Sequence, residues 1–332
     1  MSLLRNWKEI LDTANLSPDR KMDVVSRWLI ITRAAVFSMT ATSGLVGGLL
    51  AAVTANPNWM HFTLAMIGLI LAHAANNMIN DFFDMQGGVD TDEYARALYA
   101  PHPVLSGMIS KRGLLTAILV VNLIDVLILF FFVFSVGLPV LVFALAGFFI
   151  SVFYVAPPIK LKHLGLGEPG VFLVWGPLMI GGTYFVTAGE LPPIGVWFAC
   201  LPYALIVTTV LIGKHIDKLD ADRGKGIRTL PVLIGERNGL RLNMTLMAAY
   251  YLVVAILVLT ATLDVWVLLT FLALPRLVRV LKIYIEPRPT EPPPDYPVWP
   301  LWYVSAAFFH NKLAGGFFVL GLILNWIFPI IS

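Results

Sequence analysis

The chain is divided into apolar stretches of about bilayer length, and its basic residues are confined to every second gap between them. Nine such stretches can be read, at residues 28–53, 59–79, 113–134, 137–156, 169–187, 193–213, 241–262, 264–284 and 306–330; a bilayer-crossing helix needs about 20 mostly apolar residues. Gly and Pro punctuate the joints, at Gly137–Pro139, Ala156–Pro158, Leu191–Pro193 and Glu291–Pro294, where neither helix nor strand continues easily. The eighth stretch is the least regular, because Pro275, Arg276 and Arg279 interrupt it. Of 332 residues, 58% are hydrophobic and only 13% charged, against about 25% charged in soluble domains. That balance excludes a disordered chain and a water-soluble enzyme. The single cysteine, Cys200, excludes an intrachain disulfide, and a net charge of +3 gives no reason to expect a nucleic-acid partner. The expectation is an all-α, polytopic membrane protein of nine transmembrane helices.

The 23 Lys and Arg residues fall in five places. Six precede or begin the first stretch, through Arg33; three lie in the second connection and two in the fourth. Seven lie in the sixth connection, and five between Arg276 and Lys312. The odd-numbered connections carry none. Basic loops stay on the cytoplasmic side, so the N-terminus is expected there and the C-terminus outside. A wrong helix count would scramble this alternation. Residues 1–27 do not read as a signal peptide: they are mixed in charge and lack a short apolar core followed by small residues. Trp7, Ile10, Leu11, Val24, Val25 and Trp28, spaced among charges, suggest an interfacial helix.

Two polar clusters break the apolar pattern. The second stretch ends in His73, Asn77, Asn80, Asp81 and Asp84, which recur at spacings of three and four and so share one helix face. Gly87-Gly88 then lets the chain turn and bring Asp90 back. Read alone, this is equally a capped helix end running into a solvated loop. The sixth stretch ends in Lys214, His215, Asp217, Lys218, Asp220, Asp222, Arg223, Lys225 and Arg228, which read alone is a topogenic loop. Their positions change the reading. Each cluster closes the second helix of a four-helix set, spans 1–4 and 5–8, so a parallel internal repeat followed by a ninth helix would turn both toward one central cavity.

Carboxylates facing each other across such a cavity suit Mg²⁺, which takes oxygen ligands and keeps sites for substrate phosphates. Nearby Lys and Arg would balance a leaving diphosphate. A charged mouth on a membrane cavity fits a substrate with a charged head and a long apolar tail, which is the description of a polyprenyl diphosphate.

These residues resemble the UbiA superfamily of intramembrane prenyltransferases. The stretch from Asn80 to Asp90 is similar to its first Asn-x-x-x-Asp motif with a further Asp, and its length is most like the 1,4-dihydroxy-2-naphthoate polyprenyltransferase branch. The segment Asp90–Ser110, the loop Tyr154–Glu168, the pairs Gly176-Pro177 and Gly181-Gly182, and Asp222–Gly235 are similar to the family too. The resemblance covers residues 28–235 and, more loosely, the remainder, and implies one UbiA-like domain over 28–332. Its second motif, Asp-x-x-x-Asp, is altered: Lys218 stands four residues before Asp222, with Asp217 and Asp220 beside it.

The resemblance implies Mg²⁺ held by Asn80, Asp84 and Asp90 and by some of Asp217, Asp220 and Asp222. Lys160, Arg223, Arg228 and, less directly, Arg96 would contact the diphosphate. Tyr154 and Tyr184 would face the allylic cation, whose charge aromatic faces stabilise. Asn77 and His215 would contact substrate. The implied reaction is polyprenyl transfer to an aromatic acceptor, of the menaquinone-forming kind. A non-aromatic lipid acceptor, a cyclisation, or a cation or proton transporter are the alternatives. Two further charges lie in apolar stretches: Arg33, expected to snorkel to the surface, and Asp125, expected protonated and hydrogen-bonded.

Overall fold

The computed structural model describes residues 2–91, 100–294 and 296–330. Every regular element among them is helical, as a bilayer requires of a chain that must satisfy its own backbone polar groups. Helix α1 (Ser2–Thr13) and helix α2 (Val24–Ile31) form the N-terminal segment, with Asp23 capping α2 through Ser26 N–H. They pack on each other through Ile10, Leu16 and Ile30. The first stretch is therefore not one continuous helix. It breaks at Arg33, whose φ of 54° turns the chain before α3 (Phe37–Thr54) begins.

Helix α4 (Trp59–Gln86) starts at Asn58, whose side chain accepts from Met60 N–H and His61 N–H. It runs well past the expected end at residue 79, so Asn80 and Asp84 sit on regular helix. Helix α5 (Lys111–Val136) and helix α6 (Val140–Phe153) follow. Their large apolar side chains, among them Leu119, Leu127, Phe130, Phe134 and Phe148, are exposed, as lipid-facing surfaces are. Helix α7 (Gly167–Leu173) leads through a widened turn at Gly176-Pro177 into α8 (Met179–Ala188). Ser43 Oγ donates to the Trp175 carbonyl at 2.7 Å, satisfying a group that the widened turn exposes.

Helix α9 (Ile194–Ala199) continues into α10 (Leu201–Asp217), followed by the short α11 (Leu219–Gly224) and α12 (Leu230–Ile234). Helix α13 (Glu236–Leu259), a 3₁₀ segment (Val265–Ala273), α14 (Leu274–Ile285) and α15 (Tyr303–Ile327) complete the chain.

Seven helical stretches among the described residues are long and apolar enough to cross a bilayer. The fourth and eighth of the expected nine take other forms. Helix α6 has only 14 residues, about 21 Å at 1.5 Å per residue. The eighth is split between the 3₁₀ segment, capped by Asp264 at Trp266 N–H, and α14, which begins at Pro275. The prolines and arginines that weaken the eighth pattern thus mark a change of helix type.

Helices meet through glycine where side chains would hold them apart. A Cβ on Gly47 would lie 2.5 Å from the Ile180 carbonyl oxygen, and one on Gly321 2.6 Å from the Trp266 oxygen. Without lipid-excluding pressure, close backbone approach of this kind is a main source of helix association in membranes. The largest side chains sealed inside include Tyr184, Tyr203, Tyr250 and Phe318.

Candidate active site

The C-terminal ends of α4 and α10 converge at one end of the bundle. Val89, just past α4, packs on Ile227, just past α11, and Lys225 Nζ donates to the Gly88 carbonyl at 3.1 Å. Gly88, at φ +70°, supplies the turn, after which Val89 N–H and Asp90 N–H both donate to the Asp84 carbonyl. Asp90 is thereby folded back beside Asp84.

The polar groups here are buried and opposed in sign. Asp81 pairs with Arg33. Lys162 Nζ lies 3.0 Å from Asp84 Oδ2, and Lys218 Nζ 3.8 Å from Asp222 Oδ1. His102 Nε2 is 3.7 Å from Asp90 Oδ2 and 3.2 Å from the Asp81 carbonyl oxygen. Burial and the neighbouring Asp84 charge raise the Asp90 carboxyl above the usual carboxylate range. Burial, and then the Lys162 charge, push the Lys218 ammonium down to about 8.

Asn80 and Arg33, the partner of Asp81, also border a cavity of about 230 Å³ lined by His73, Asn76, Asn77, Tyr154, Trp175 and Lys214 with apolar neighbours. A second, more apolar cavity of about 380 Å³ shares His73, Asn76 and Trp175 with it and extends between α4, α5, α6 and α8. The pair forms a charged mouth on an apolar recess.

The donor set fits Mg²⁺. Asp84, Asp90 and Asp222 offer hard carboxylate oxygens, and the Asn80 amide oxygen is buried without a hydrogen-bond partner, an arrangement that a cation would relieve. Asp81, Asp90 and His102 can also bring one ligand atom each within 4.8 Å of one another.

Several expected site residues lie elsewhere. Asp217 accepts from Tyr303 N–H at 3.0 Å and Val304 N–H at 2.9 Å, so it caps α15 rather than facing Asp84. Asp220 is almost wholly exposed and pairs with Arg223 at 3.4 Å, which places both on the surface. Arg228 is exposed as well. Tyr184 is sealed in the core with its hydroxyl 2.9 Å from Thr54 Oγ1. Since α3 leaves the site end and finishes at Thr54, this is the opposite end of the bundle. Lys160 is turned by a φ of 53°, and it is Lys162, two residues on, that reaches Asp84. Arg33 does not snorkel outward but reaches Asp81. The Asp125 Oδ1 atom is buried at the second cavity without a hydrogen-bond partner, unlike the bonded carboxyl expected. Arg96 lies outside the described residues.

Asn77 and Tyr154 lie on the cavity wall, with His215 beside Tyr154. Asn77 donates to the Thr32 carbonyl at 2.9 Å. Tyr154 and His215 meet, hydroxyl to Nε2, at 3.3 Å. Asp81, Lys214 and Glu168 stand in the clusters and loop named from sequence but carried no site role there, and Lys162 and His102 were not named individually. All stand inside or beside the recognised motifs, and only the fold distinguishes them from their neighbours.

Residues 40–311 match the profile of the UbiA prenyltransferase family. The chain belongs to this family. Among UbiA relatives, digeranylgeranylglyceryl phosphate synthase of Natronomonas pharaonis is 31% identical over 221 residues, covering 65% of this chain and 71% of that one. The 1,4-dihydroxy-2-naphthoate octaprenyltransferase of Bacillus subtilis is 21% identical, covering 77% and 81%. In fold, this UbiA protein is similar to the homologue from Aeropyrum pernix (TM-score 0.66, 17% identity, 87% and 97% covered). It is also similar to the Archaeoglobus fulgidus homologue bound to GPP and Mg²⁺ (TM-score 0.61, 16% identity, 90% and 99% covered). The family and the apolar helices make it a multi-pass membrane prenyltransferase.

Proposed function

We propose that the protein transfers a polyprenyl group from a polyprenyl diphosphate to a hydroxylated acceptor in the membrane, with Mg²⁺ as cofactor. The single observation that carries this is the buried floor of Asn80, Asp84, Asp90 and Asp222 set against Lys162 and Lys218, beside a cavity that continues into an apolar recess. Asn80, Asp84, Asp90 and Asp222 would hold the metal. Bound there, Mg²⁺ supplies positive charge that makes diphosphate a better leaving group.

The protein's own residues do the rest. Lys162 and Lys218 balance charge as the C1–O bond of the prenyl donor lengthens. Trp175 and Tyr154, on the cavity wall, present ring faces to the allylic cation. The apolar recess takes the tail and keeps water away from the cation. The proposed orientation puts the charged mouth, the N-terminus and the basic loops on the cytoplasmic side and the C-terminus outside.

For the acceptor we propose an aromatic ring of the dihydroxynaphthoate kind, as in quinone formation. A second reading, a glyceryl phosphate ether, is favoured by the 31% identity to the Natronomonas synthase. Lys214 suits both. It lines the cavity among groups that would welcome the carboxylate of one or the phosphate of the other.

The test uses membranes containing the protein, Mg²⁺ and all-trans prenyl diphosphates, with both acceptors offered separately. Prenylated product is followed by mass spectrometry. Product is expected to vanish on chelation and to fall by about 100-fold or more in Asp84→Asn. Absence of both product and diphosphate release from every donor refutes the reading.

A further inference from the structure

Glu168, His215 and Tyr154 form a buried chain that runs from the packed interior to the cavity. His215 Nδ1 lies 2.6 Å from Glu168 Oε1, and the Tyr154 hydroxyl lies 3.3 Å from His215 Nε2. Glu168 and His215 are each 1% exposed, whereas Tyr154 borders the cavity. The three come from separate places: the first turn of α7, the last turn of α10, and the residue after α6. A carboxylate at Nδ1 fixes the imidazole tautomer, with the proton on Nδ1 and the lone pair on Nε2 facing the phenol. The Tyr154 hydroxyl therefore donates to Nε2.

Two details separate this chain from ordinary packing. Glu168 Oε2 is buried with no hydrogen-bond partner, so the carboxylate is retained at a desolvation cost where an apolar residue would fill the space. The ring of Tyr154 is also wedged: a Cβ on Gly167 would come within 3.0 Å of Tyr154 Cε2. The order carboxylate, imidazole, hydroxyl, substrate cavity is that of an activated hydroxyl.

We propose that Tyr154, polarised by His215 and Glu168, is the catalytic base that takes the acceptor's hydroxyl proton during prenyl transfer. His215 and Glu168 are its positioning residues. The proposal rests on the prenyl-transfer reading above. As the C1–O bond breaks, its electron pair leaves on the diphosphate. An acceptor oxygen supplies the pair for the new bond to C1. Its proton passes to the Tyr154 oxygen while the Tyr154 proton moves to His215 Nε2, giving an imidazolium held by Glu168. With a hydroxyarene the same transfer creates the phenolate whose ring carbon attacks C1, and the ring proton then leaves to the diphosphate. The imidazolium afterwards returns its proton through Tyr154, to the departing diphosphate after ether formation and to the oxygen of the prenylated hydroxyarene after ring alkylation. Asp84 on α4, Asp222 on α11 and Arg33 ahead of α3 lie near enough to act electrostatically on the phenol, and Lys214 on α10 lines the same cavity.

The experiment measures diphosphate release and prenylated product in the same reaction, using a hydroxyarene carboxylate and a prenylglyceryl phosphate as acceptors. The full-length protein is compared with Tyr154→Phe, Glu168→Gln and His215→Ala. Transfer kcat is expected to fall about 100-fold with the KM for prenyl diphosphate unchanged. Diphosphate release should persist through hydrolysis, and added imidazole should restore transfer in His215→Ala. The near-isosteric Tyr154→Phe and Glu168→Gln keep the test informative if His215→Ala does not fold. Wild-type transfer in Tyr154→Phe overturns the proposal, as does a parallel fall of release and transfer in all variants. A wild-type protein that releases no diphosphate from any donor refutes the transferase reading instead.

Discussion

Lys160 and Lys162 differ by two positions in sequence and by their whole environment in space. Lys160 takes the left-handed backbone conformation that turns the loop. Lys162 is 5% exposed and reaches Asp84. Removing Lys162 leaves Asp84 without this partner and takes one cation from the diphosphate site. Charge-assisted hydrogen bonds of this kind contribute about 1.5–3 kcal/mol. Lys162→Ala is therefore expected to raise the KM for prenyl diphosphate by roughly 10- to 100-fold, with Lys162→Arg recovering part of it. Lys160→Ala should leave steady-state kinetics unchanged. Equal effects of the two substitutions would contradict this assignment.

At the scale of elements, the ends of α4 and α10 were legible because polar residues at helical spacing stand out in an apolar chain. Asn80, Asp84 and Asp90 are the clearest case. The sixth connection was less legible, because its three carboxylates differ only in which way short helices turn them. Asp222 turns inward, Asp220 faces solvent, and Asp217 reaches the start of α15. No local pattern announces a cap supplied by a residue 86 positions away. That geometry predicts a separation of effects. Asp217→Ala exposes two amide donors of α15 and is expected to destabilise the protein by about 1–2 kcal/mol, read as a lower thermal midpoint in detergent. The Mg²⁺ concentration for half-maximal activity should not move. A shift there would return Asp217 to the metal site. The pairing of Arg33 was hidden for a similar reason: its partner, Asp81, stands on another helix.

Across the whole molecule, the site is a nearly balanced set of buried charges, and its activity should reflect that balance on both sides of neutrality. The Asp90 carboxyl is raised by burial and by Asp84, so protons compete there with a metal that needs the ionised form. Apparent Mg²⁺ affinity is expected to weaken as pH falls. The Lys218 ammonium, pushed down to about 8, loses charge as pH rises through that value, and diphosphate binding should weaken. The two limbs give a bell-shaped pH dependence of kcat/KM, with Lys218→Arg extending the alkaline limb. A flat alkaline limb in the wild type would remove Lys218 from diphosphate binding.

The pairing of Lys162 with Asp84 also bears on the order of events. An ammonium engaged by a carboxylate has part of its charge already balanced and attracts a phosphate less strongly, and a carboxylate engaged by an ammonium is a weaker ligand for a cation. In the proposed arrangement, Asp84 turning to a metal would release Lys162 to the diphosphate, and Lys162 turning to the diphosphate would release Asp84 to the metal. Each guest would thus vacate the seat the other needs. In the proposed arrangement the two binding events would be thermodynamically coupled, and by linkage the coupling would be reciprocal: whatever factor the metal adds to diphosphate affinity, the diphosphate would add to metal affinity.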